Sequence, residues 1–122
     1  MGRVVHFEIQ GDDPQALADF YQNALGWEIT IWNGPEPYWL VMTGPKEQPG
    51  INGGIMKRMS QQPVINTIGV ESLDEAIAKV EANGGKVVSG PNEIPQVGTH
   101  AYCADPEGNL FGLLQPAPGS GM

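Results

Sequence analysis

Three polar side chains near the start of the chain alternate with apolar ones. His6, Glu8 and Gln10 follow a period of two, which predicts a strand over residues 4–10 with these polar side chains on one face. Side chains two positions apart on a strand lie about 6–7 Å from each other. His6 could then act as a general base near neutral pH, with Glu8 orienting it or holding a cationic group. The alternative is that His6 only forms hydrogen bonds inside a polar cavity.

A second histidine occurs on another predicted strand. His100 and Tyr102 share one face of that strand, and its other face carries Thr99, Ala101 and Cys103. Either face could line a ligand cavity, and the pattern leaves the choice open. His100 and Tyr102 are the candidates for ligand binding, because their side chains can form hydrogen bonds.

Aromatic residues are concentrated around one predicted hairpin. Trp32, Tyr38 and Trp39 lie close together in the chain, and rings at the rim of a cavity can stack on a flat ligand. Trp39 is therefore a further candidate for ligand binding. Packing at the hairpin, or at the edge of a dimer, explains the cluster equally well.

The second half of the chain repeats the pattern of the first at an offset of 59 residues. Val5–Ile9 corresponds to Val64–Ile68, so that Thr67 corresponds to Glu8 and joins the candidate ligand-binding residues. A two-fold repeat of this length indicates two similar units that together bury one hydrophobic face. A site is expected where equivalent positions of the two units face each other.

Each half reads as a strand, a helix and three further strands. The first helix begins at Asp13-Pro14, an acidic cap followed by proline at the first helical position, and Gly26 ends it. Ser72 and Glu75 have the spacing of a capping box at the start of the second helix. The apolar stripe that should face the core from the first helix consists of Leu17, Phe20, Tyr21, Ala24 and Leu25.

The remaining predicted elements complete an α+β fold. Strands after the first are expected over residues 27–32, 38–43, 53–57, 64–70, 86–89, 99–104 and 110–115, with turns over residues 34–37 and 105–108. We predict two tandem βαβββ units, residues 4–57 and residues 64–116, and a loose tail over residues 117–122. One helix per unit covers one face of a curled mixed sheet, which leaves the other face free to line a concave cavity.

This arrangement resembles the vicinal oxygen chelate superfamily, which includes glyoxalase I, bleomycin-resistance proteins and extradiol dioxygenases. The resemblance rests on His6 in the first strand, on Ala18–Tyr21 leading to Leu25–Glu28, on Gly84–Val88 and on Asp105–Asn109. It covers about residues 4–116.

The resemblance implies a metal site built from the first and last strand of each unit. Carried over to this chain, the four ligand positions are His6, Gly53, Ile65 and Gly112. Only His6 has a donor side chain, and a catalytic site for a divalent ion needs about three protein ligands. We therefore expect no metal ion and no other cofactor.

Charge and composition limit the partners and the cellular location. The chain has six basic and fourteen acidic residues, a net charge of −8, which argues against nucleic acids and anionic membranes and is compatible with a cationic small ligand. The more general interpretation is that the acidity maintains solubility. The sequence lacks an 18-residue apolar stretch and a signal-peptide pattern, and Cys103 has no second cysteine to pair with. These features predict a cytoplasmic protein.

Two classes of function fit the sequence. The first is a small-molecule-binding protein with a degenerate metal site, of the kind in which bleomycin-resistance proteins sequester a drug. The second is a lyase, isomerase or dioxygenase-type enzyme that uses His6 as a metal ligand or a general base. A homodimer is expected in either case, because each half-sheet leaves strand edges unpaired and the resemblance points the same way.

Overall fold

The computed structural model describes residues 2–34 and 36–119 and has the predicted α+β fold. Its contacts divide the chain into two units. Residues 6–65 form one, called here the N-terminal unit. Residues 66–119 together with residues 2–5 form the other, called here the C-terminal unit.

The N-terminal unit is a mixed sheet with one helix. Its elements are β1 (Arg3–Gly11, of which residues 6–11 belong to this unit), α1 (Pro14–Leu25), β2 (Glu28–Asn33), β3 (Pro37–Met42) and β4 (Gly53–Lys57). The strands lie in the order β2-β3-β4-β1. β1 and β4 are parallel, and the other two pairs are antiparallel.

The C-terminal unit repeats this topology. Its elements are β5 (Val64–Gly69, of which residues 66–69 belong to this unit), α2 (Leu73–Ala82), β6 (Lys86–Ile94), β7 (Gly98–Ala104) and β8 (Leu110–Pro116). The strands lie in the order β5-β8-β7-β6, with β5 and β8 parallel. The turn predicted over residues 34–37 and the tail predicted over residues 117–122 fall partly outside the described residues.

Both helices begin with the predicted caps. The Asp13 carboxylate accepts a hydrogen bond from the Ala16 N–H at 3.1 Å, and α1 ends at Gly26 with a left-handed φ of 74°. The Ser72 hydroxyl accepts from the Glu75 N–H at 3.2 Å at the start of α2. These local hydrogen bonds satisfy backbone groups that the first helical turn leaves without partners.

The core of the N-terminal unit lies between α1 and the sheet. Ala18, Val41 and Ile55 are buried at its centre. The stripe predicted for α1 is wrong in part, since Phe20 is 58% exposed and Leu25 is 59% exposed, and Ala24 is exposed as well. The small Ala18 side chain faces the sheet directly. Phe20 and Ala24 point away from the face that carries Leu17 and Ala18, and Leu25 lies on that face but at the last residue of the helix.

The core of the C-terminal unit lies between α2 and the sheet of that unit. Leu73, Ala101, Cys103 and Leu113 are buried, and α2 packs Ala76, Ile77 and Val80 against them. Burial raises the pKa of the Cys103 thiol, and the Glu81 carboxylate raises it further. The thiol therefore stays protonated and unreactive at neutral pH.

Strand β6 is longer than predicted. It runs from Lys86 to Ile94 and includes Gly90-Pro91, whereas the predicted strand ended at residue 89. Register shifts between Val87 and Ser89, and again between Ser89 and Asn92, accommodate the interruption. Proline is tolerated there because β6 pairs only with β7 within its unit and lies at the end of the strand order.

No helix among the described residues is long and apolar enough to cross a membrane.

Candidate functional site

The two faces of β1 differ as the sequence predicted. Phe7 and Ile9 pack against the core of the N-terminal unit. Glu8 and Gln10 belong to the opposite face, where they are only 7% and 3% exposed. A carboxylate and an amide at such depth require partners, because burial of an unpaired polar group is costly.

Tyr38 joins His6 and Glu8 through hydrogen bonds. Its hydroxyl donates to the Glu8 carboxylate oxygen Oε2 at 3.1 Å and lies 2.7 Å from His6 Nε2. A phenol has one proton, so the hydroxyl that donates to Glu8 accepts from an Nε2–H of His6. The imidazole, phenol and carboxylate thus form a hydrogen-bonded series. The sequence placed Tyr38 in the aromatic cluster and missed this contact.

The register of the sheet brings these groups together. Gly54 on β4 is paired with Glu8 on one side and with Leu40 on the other. Tyr38 lies two positions from Leu40 on β3, and its ring extends over Gly54. Strand pairing between residues about 30 and 45 positions apart therefore builds the series, and no local sequence motif marks it.

Gln10 fixes the segment that follows β4. Its side-chain oxygen accepts from the Met59 N–H at 3.3 Å and from the Ser60 hydroxyl at 3.2 Å. Its side-chain nitrogen is buried and has no hydrogen-bond partner within residues 2–34 and 36–119. The role of Gln10 in ligand binding remains a prediction, and its observed contacts are structural.

An apolar area adjoins the hydrogen-bonded series. Trp32, Leu40 and Met42 are exposed hydrophobic residues, and the register of β2 and β3 puts them on the same face as Tyr38. Exposed apolar side chains next to buried polar groups are typical of ligand sites. We call Trp32, Leu40 and Met42 the apolar flank.

Trp39 lies on the other face of β3. It packs against the core, and its indole N–H donates to the Gln15 side-chain oxygen at 3.1 Å. It also lines a separate cavity of about 510 Å³. The other residues that line this cavity are Pro14, Glu36, Pro37, Met56, Lys57, Arg58 and Met59. The structure therefore does not bring Trp39 to His6 and Glu8.

The C-terminal unit has a corresponding polar cluster. Thr67 on β5 is 2% exposed and is paired with Gly112 on β8. A Cβ atom at Gly112 would lie 2.7 Å from His100 Nε2 and 3.0 Å from the Thr67 hydroxyl oxygen, so both side chains converge above this glycine. The Tyr102 ring meets the His100 ring edge-on, with centroids 4.5 Å apart.

These contacts decide the question that the sequence left open for β7. His100 and Tyr102 share the polar face with Thr67, and Ala101 and Cys103 pack in the core. Burial lowers the pKa of His100. Its imidazole is therefore neutral at pH 7.

The metal positions implied by the resemblance do not fit a divalent ion. Gly53 faces the core, where a Cβ atom would lie 2.6 Å from carbons of the Phe7 ring, and Gly54 is the residue on the polar face. The position carried over to Gly53 is therefore wrong by one residue. Gly54, Ile65 and Gly112 have no donor side chains. The described residues contain no group of three or more His, Cys, Asp or Glu that could hold a metal ion.

A protein-family model matches most of the chain. Residues 3–113 match the model of the Glyoxalase/Bleomycin resistance protein/Dioxygenase superfamily. The chain is also 30% identical over 120 residues to "Putative glyoxylase CFP32" of Mycobacterium bovis (strain ATCC BAA-935 / AF2122/97). That alignment covers 96% of this chain and 45% of the relative, so the chain spans about half the length of the curated relatives it matches.

Solved structures share the fold at low sequence identity. Methylmalonyl-CoA epimerase from Mycobacterium tuberculosis superposes with a TM-score of 0.71 at 15% identity, over 93% of this chain and 87% of that chain. A variant of methylmalonyl-CoA epimerase from Streptomyces coelicolor, in complex with 2-nitronate-propionyl-CoA, gives a TM-score of 0.71 at 15% identity over 94% of each chain. At this identity the similarity establishes the fold alone.

Proposed function

Because the chain belongs to the Glyoxalase/Bleomycin resistance protein/Dioxygenase superfamily, we propose that it binds a small organic molecule on the polar face of its N-terminal unit without a metal ion. One observation carries this proposal. The buried Glu8 carboxylate is hydrogen-bonded to Tyr38 and through it to His6, directly beside exposed apolar side chains. Buried polar groups that converge next to an apolar surface are the usual composition of a ligand site.

The chemistry of these groups indicates the ligand class. Glu8 accepts a hydrogen bond from Tyr38, and a carboxyl group there, in a chain whose net charge is −8, favours a cation or a hydrogen-bond donor as ligand. The apolar flank favours a flat hydrophobic body, because Trp32 offers an indole ring for stacking. The proposed ligand is therefore an amine or other cation attached to an aromatic or aliphatic group. Sequestration of such a ligand would resemble the action of the bleomycin-resistance proteins.

A thermal-shift screen tests the proposal. The probes are aromatic and aliphatic amines, quaternary ammonium compounds and bleomycin, each at millimolar or lower concentration. A ligand from this set should raise the melting temperature of the wild-type protein. Its affinity should fall about tenfold or more in the Glu8→Gln and Tyr38→Phe variants, since a hydrogen bond to a charged group contributes about 1.5–3 kcal/mol.

Glu47→Gln is the matched control, because Glu47 is exposed in the loop between β3 and β4. It should bind the same ligand as the wild type does. Equal loss of affinity in Glu47→Gln and Glu8→Gln would mean that only overall charge matters. Elemental analysis of the same preparations should find well below one transition-metal ion per chain. About one tightly bound ion per chain would contradict metal-free binding.

A second candidate function is acid–base catalysis by the same residues. The His6–Tyr38–Glu8 series favours it, because a chain of hydrogen-bonded donors and acceptors can deliver or remove a proton at a bound molecule. Such an enzyme would be of the isomerase or lyase type. Any ligand found in the screen can be incubated in D2O and followed by NMR. Exchange of a carbon-bound proton that Tyr38→Phe abolishes would identify an enzyme, and binding without exchange would identify a sequestering protein.

We further propose that the protein is a cytoplasmic homodimer. The lone Cys103 is buried as a free thiol, which suits a reducing compartment. Within the N-terminal unit, β2 pairs with β3 alone, and the neighbouring apolar flank is exposed. Light scattering should give about twice the 13.1 kDa of one chain. A mass of one chain at micromolar concentration would contradict the dimer.

A further inference from the structure

We propose that Gly54 is a positioning residue of the polar face. Because Gly54 has no side chain, the Tyr38 hydroxyl can lie within hydrogen-bond distance of both His6 and Glu8. Any side chain at position 54, a metal-ligating one included, and the Tyr38 hydroxyl therefore exclude each other.

The first argument is steric. A Cβ atom at Gly54 would overlap the hydroxyl oxygen and two ring carbons of Tyr38. The hydroxyl is held on two sides, 2.7 Å from His6 Nε2 and 3.1 Å from Glu8 Oε2. Even alanine at position 54 would therefore push the ring away from both partners, and a longer side chain would displace it completely.

The second argument is that conformation does not explain the glycine. Gly54 lies within β4, paired with neighbours on both sides. It does not have the left-handed φ that favours glycine, and glycine in a strand interior is unfavourable by its entropy. The remaining explanation for a glycine at this position is the space that it leaves for the Tyr38 ring.

The third argument is that the C-terminal unit has the same arrangement of a glycine beneath a ring, with a different side chain in place of tyrosine. Gly112 is paired with Thr67 as Gly54 is paired with Glu8. A Cβ atom there would lie 2.7 Å from Nε2 of His100, which lies on the third strand of its unit as Tyr38 does. Each unit thus has a glycine on its last strand and a ring from its third strand above it.

A two-by-two set of variants tests the proposal without any ligand, so its outcome is independent of the proposed function. The set is wild type, Gly54→Ala, Tyr38→Ala and the double variant. In the wild-type background, Gly54→Ala should lower the melting temperature by roughly 4–12 °C. In the Tyr38→Ala background the same substitution should change it by less than about 2 °C, because the ring that it would strike is gone.

A spectroscopic measurement separates positioning from general destabilisation. The His6 Nε2–H that donates to Tyr38 should give a protected downfield proton resonance, assigned by its absence in His6→Gln and its presence in His100→Gln. Gly54→Ala should shift or abolish this resonance below the melting temperature, as Tyr38→Phe should.

Two other glycines serve as controls. Gly53→Ala should also destabilise the protein, because its Cβ would strike Phe7 on the core face. The fall in melting temperature should be the same in the wild-type and Tyr38→Ala backgrounds, and the His6 resonance should persist. Gly44→Ala should change neither property, since the nearest atom to a Cβ there is 3.8 Å away in the Gln48 side chain.

The proposal is wrong if Gly54→Ala lowers the melting temperature by the same amount in the presence and in the absence of the Tyr38 ring. It is also wrong if the His6 resonance is unchanged in Gly54→Ala, since the series would then survive a side chain at position 54. Loss of ligand binding in the screen would bear on the proposed function alone and would leave both of these measurements intact.

Discussion

The polar faces of the two units share one geometry and differ in chemistry. In the N-terminal unit a phenol above Gly54 links an imidazole to a buried carboxylate. In the C-terminal unit an imidazole lies above Gly112 beside the Thr67 hydroxyl, and burial lowers its pKa. The repeated backbone thus supports an ionisable, hydrogen-bonded series in one unit and a neutral polar cluster in the other.

This difference suggests how function divides between the units. A carboxylate that accepts a hydrogen bond from a phenol can hold a cation or take part in proton transfer. A neutral imidazole and a threonine hydroxyl can offer hydrogen bonds of ordinary strength. We expect a charged ligand to bind on the polar face of the N-terminal unit and not on that of the C-terminal unit.

The largest expected effect concerns the two faces of β1. Phe7→Ala should lower the free energy of unfolding by an amount near the lower end of about 3–5 kcal/mol, because Phe7 packs on the core beside Trp27. His6→Ala, on the opposite face, should cost about 1 kcal/mol or less, the value of an ordinary hydrogen bond. Urea denaturation measures both. If both substitutions lower the free energy of unfolding equally, the polar face of the N-terminal unit has a structural role, and the proposed assignment of ligand binding to it would fail.

The next effect compares equivalent positions of the two units directly. Glu8→Gln should weaken a cationic ligand about tenfold or more, since a hydrogen bond to a charged group contributes about 1.5–3 kcal/mol. Thr67→Val should leave the affinity within about twofold, since the proposed site lies on the N-terminal unit. Isothermal titration calorimetry on both variants gives the ratio. A larger loss in Thr67→Val would reverse the assignment and make the C-terminal unit the main binding surface.

The smallest expected effect is a pH dependence that belongs to the C-terminal unit. The pKa of His100 is lower in the folded protein than its ordinary value near 6.5, because burial disfavours the charged form. The unfolded chain therefore binds the proton more readily. This contribution to stability is fully present above about pH 6.5 and is lost as the pH falls through 6.5 towards the folded-state pKa.

Melting temperatures between pH 7.5 and pH 5 measure this contribution. The melting temperature of His100→Gln should fall less on acidification than that of the wild type. The other histidine variant, His6→Gln, should still show the part of the fall that His100 causes. An unchanged pH dependence in His100→Gln would show that His100 is not the group responsible, and the contrast drawn between a neutral and an ionisable cluster would weaken.

Much of the fold was predictable because it follows from local rules. The Asp13 and Ser72 caps and the alternation around Phe7 each depend on residues a few positions apart. The repeat predicted two βαβββ units for the same reason, since each unit carries the same local signals in the same order. The exposure of Phe20 was missed because helix rotation depends on which side chain faces the sheet, here Ala18.

The candidate site was predictable only in its first strand. His6 and Glu8 are two residues apart, so their shared face follows from strand geometry. Tyr38 was identified as an aromatic residue of the hairpin, and nothing in its neighbourhood marks it as their partner. Trp39 was grouped with them although it faces the core, because adjacent residues on a strand point to opposite faces and the phase of β3 was unknown.

The sequence by itself determined the order of elements, the helix caps, the two-fold repeat and the absence of donor side chains at Ile65 and Gly112. These follow from residue identity and from interactions within a few positions of the chain. The tertiary structure decided that Tyr38 lies above Gly54 and that His100 lies above Gly112. Both contacts depend on the register between strands far apart in the chain, and a shift of one residue would turn every side chain of a strand to the opposite face.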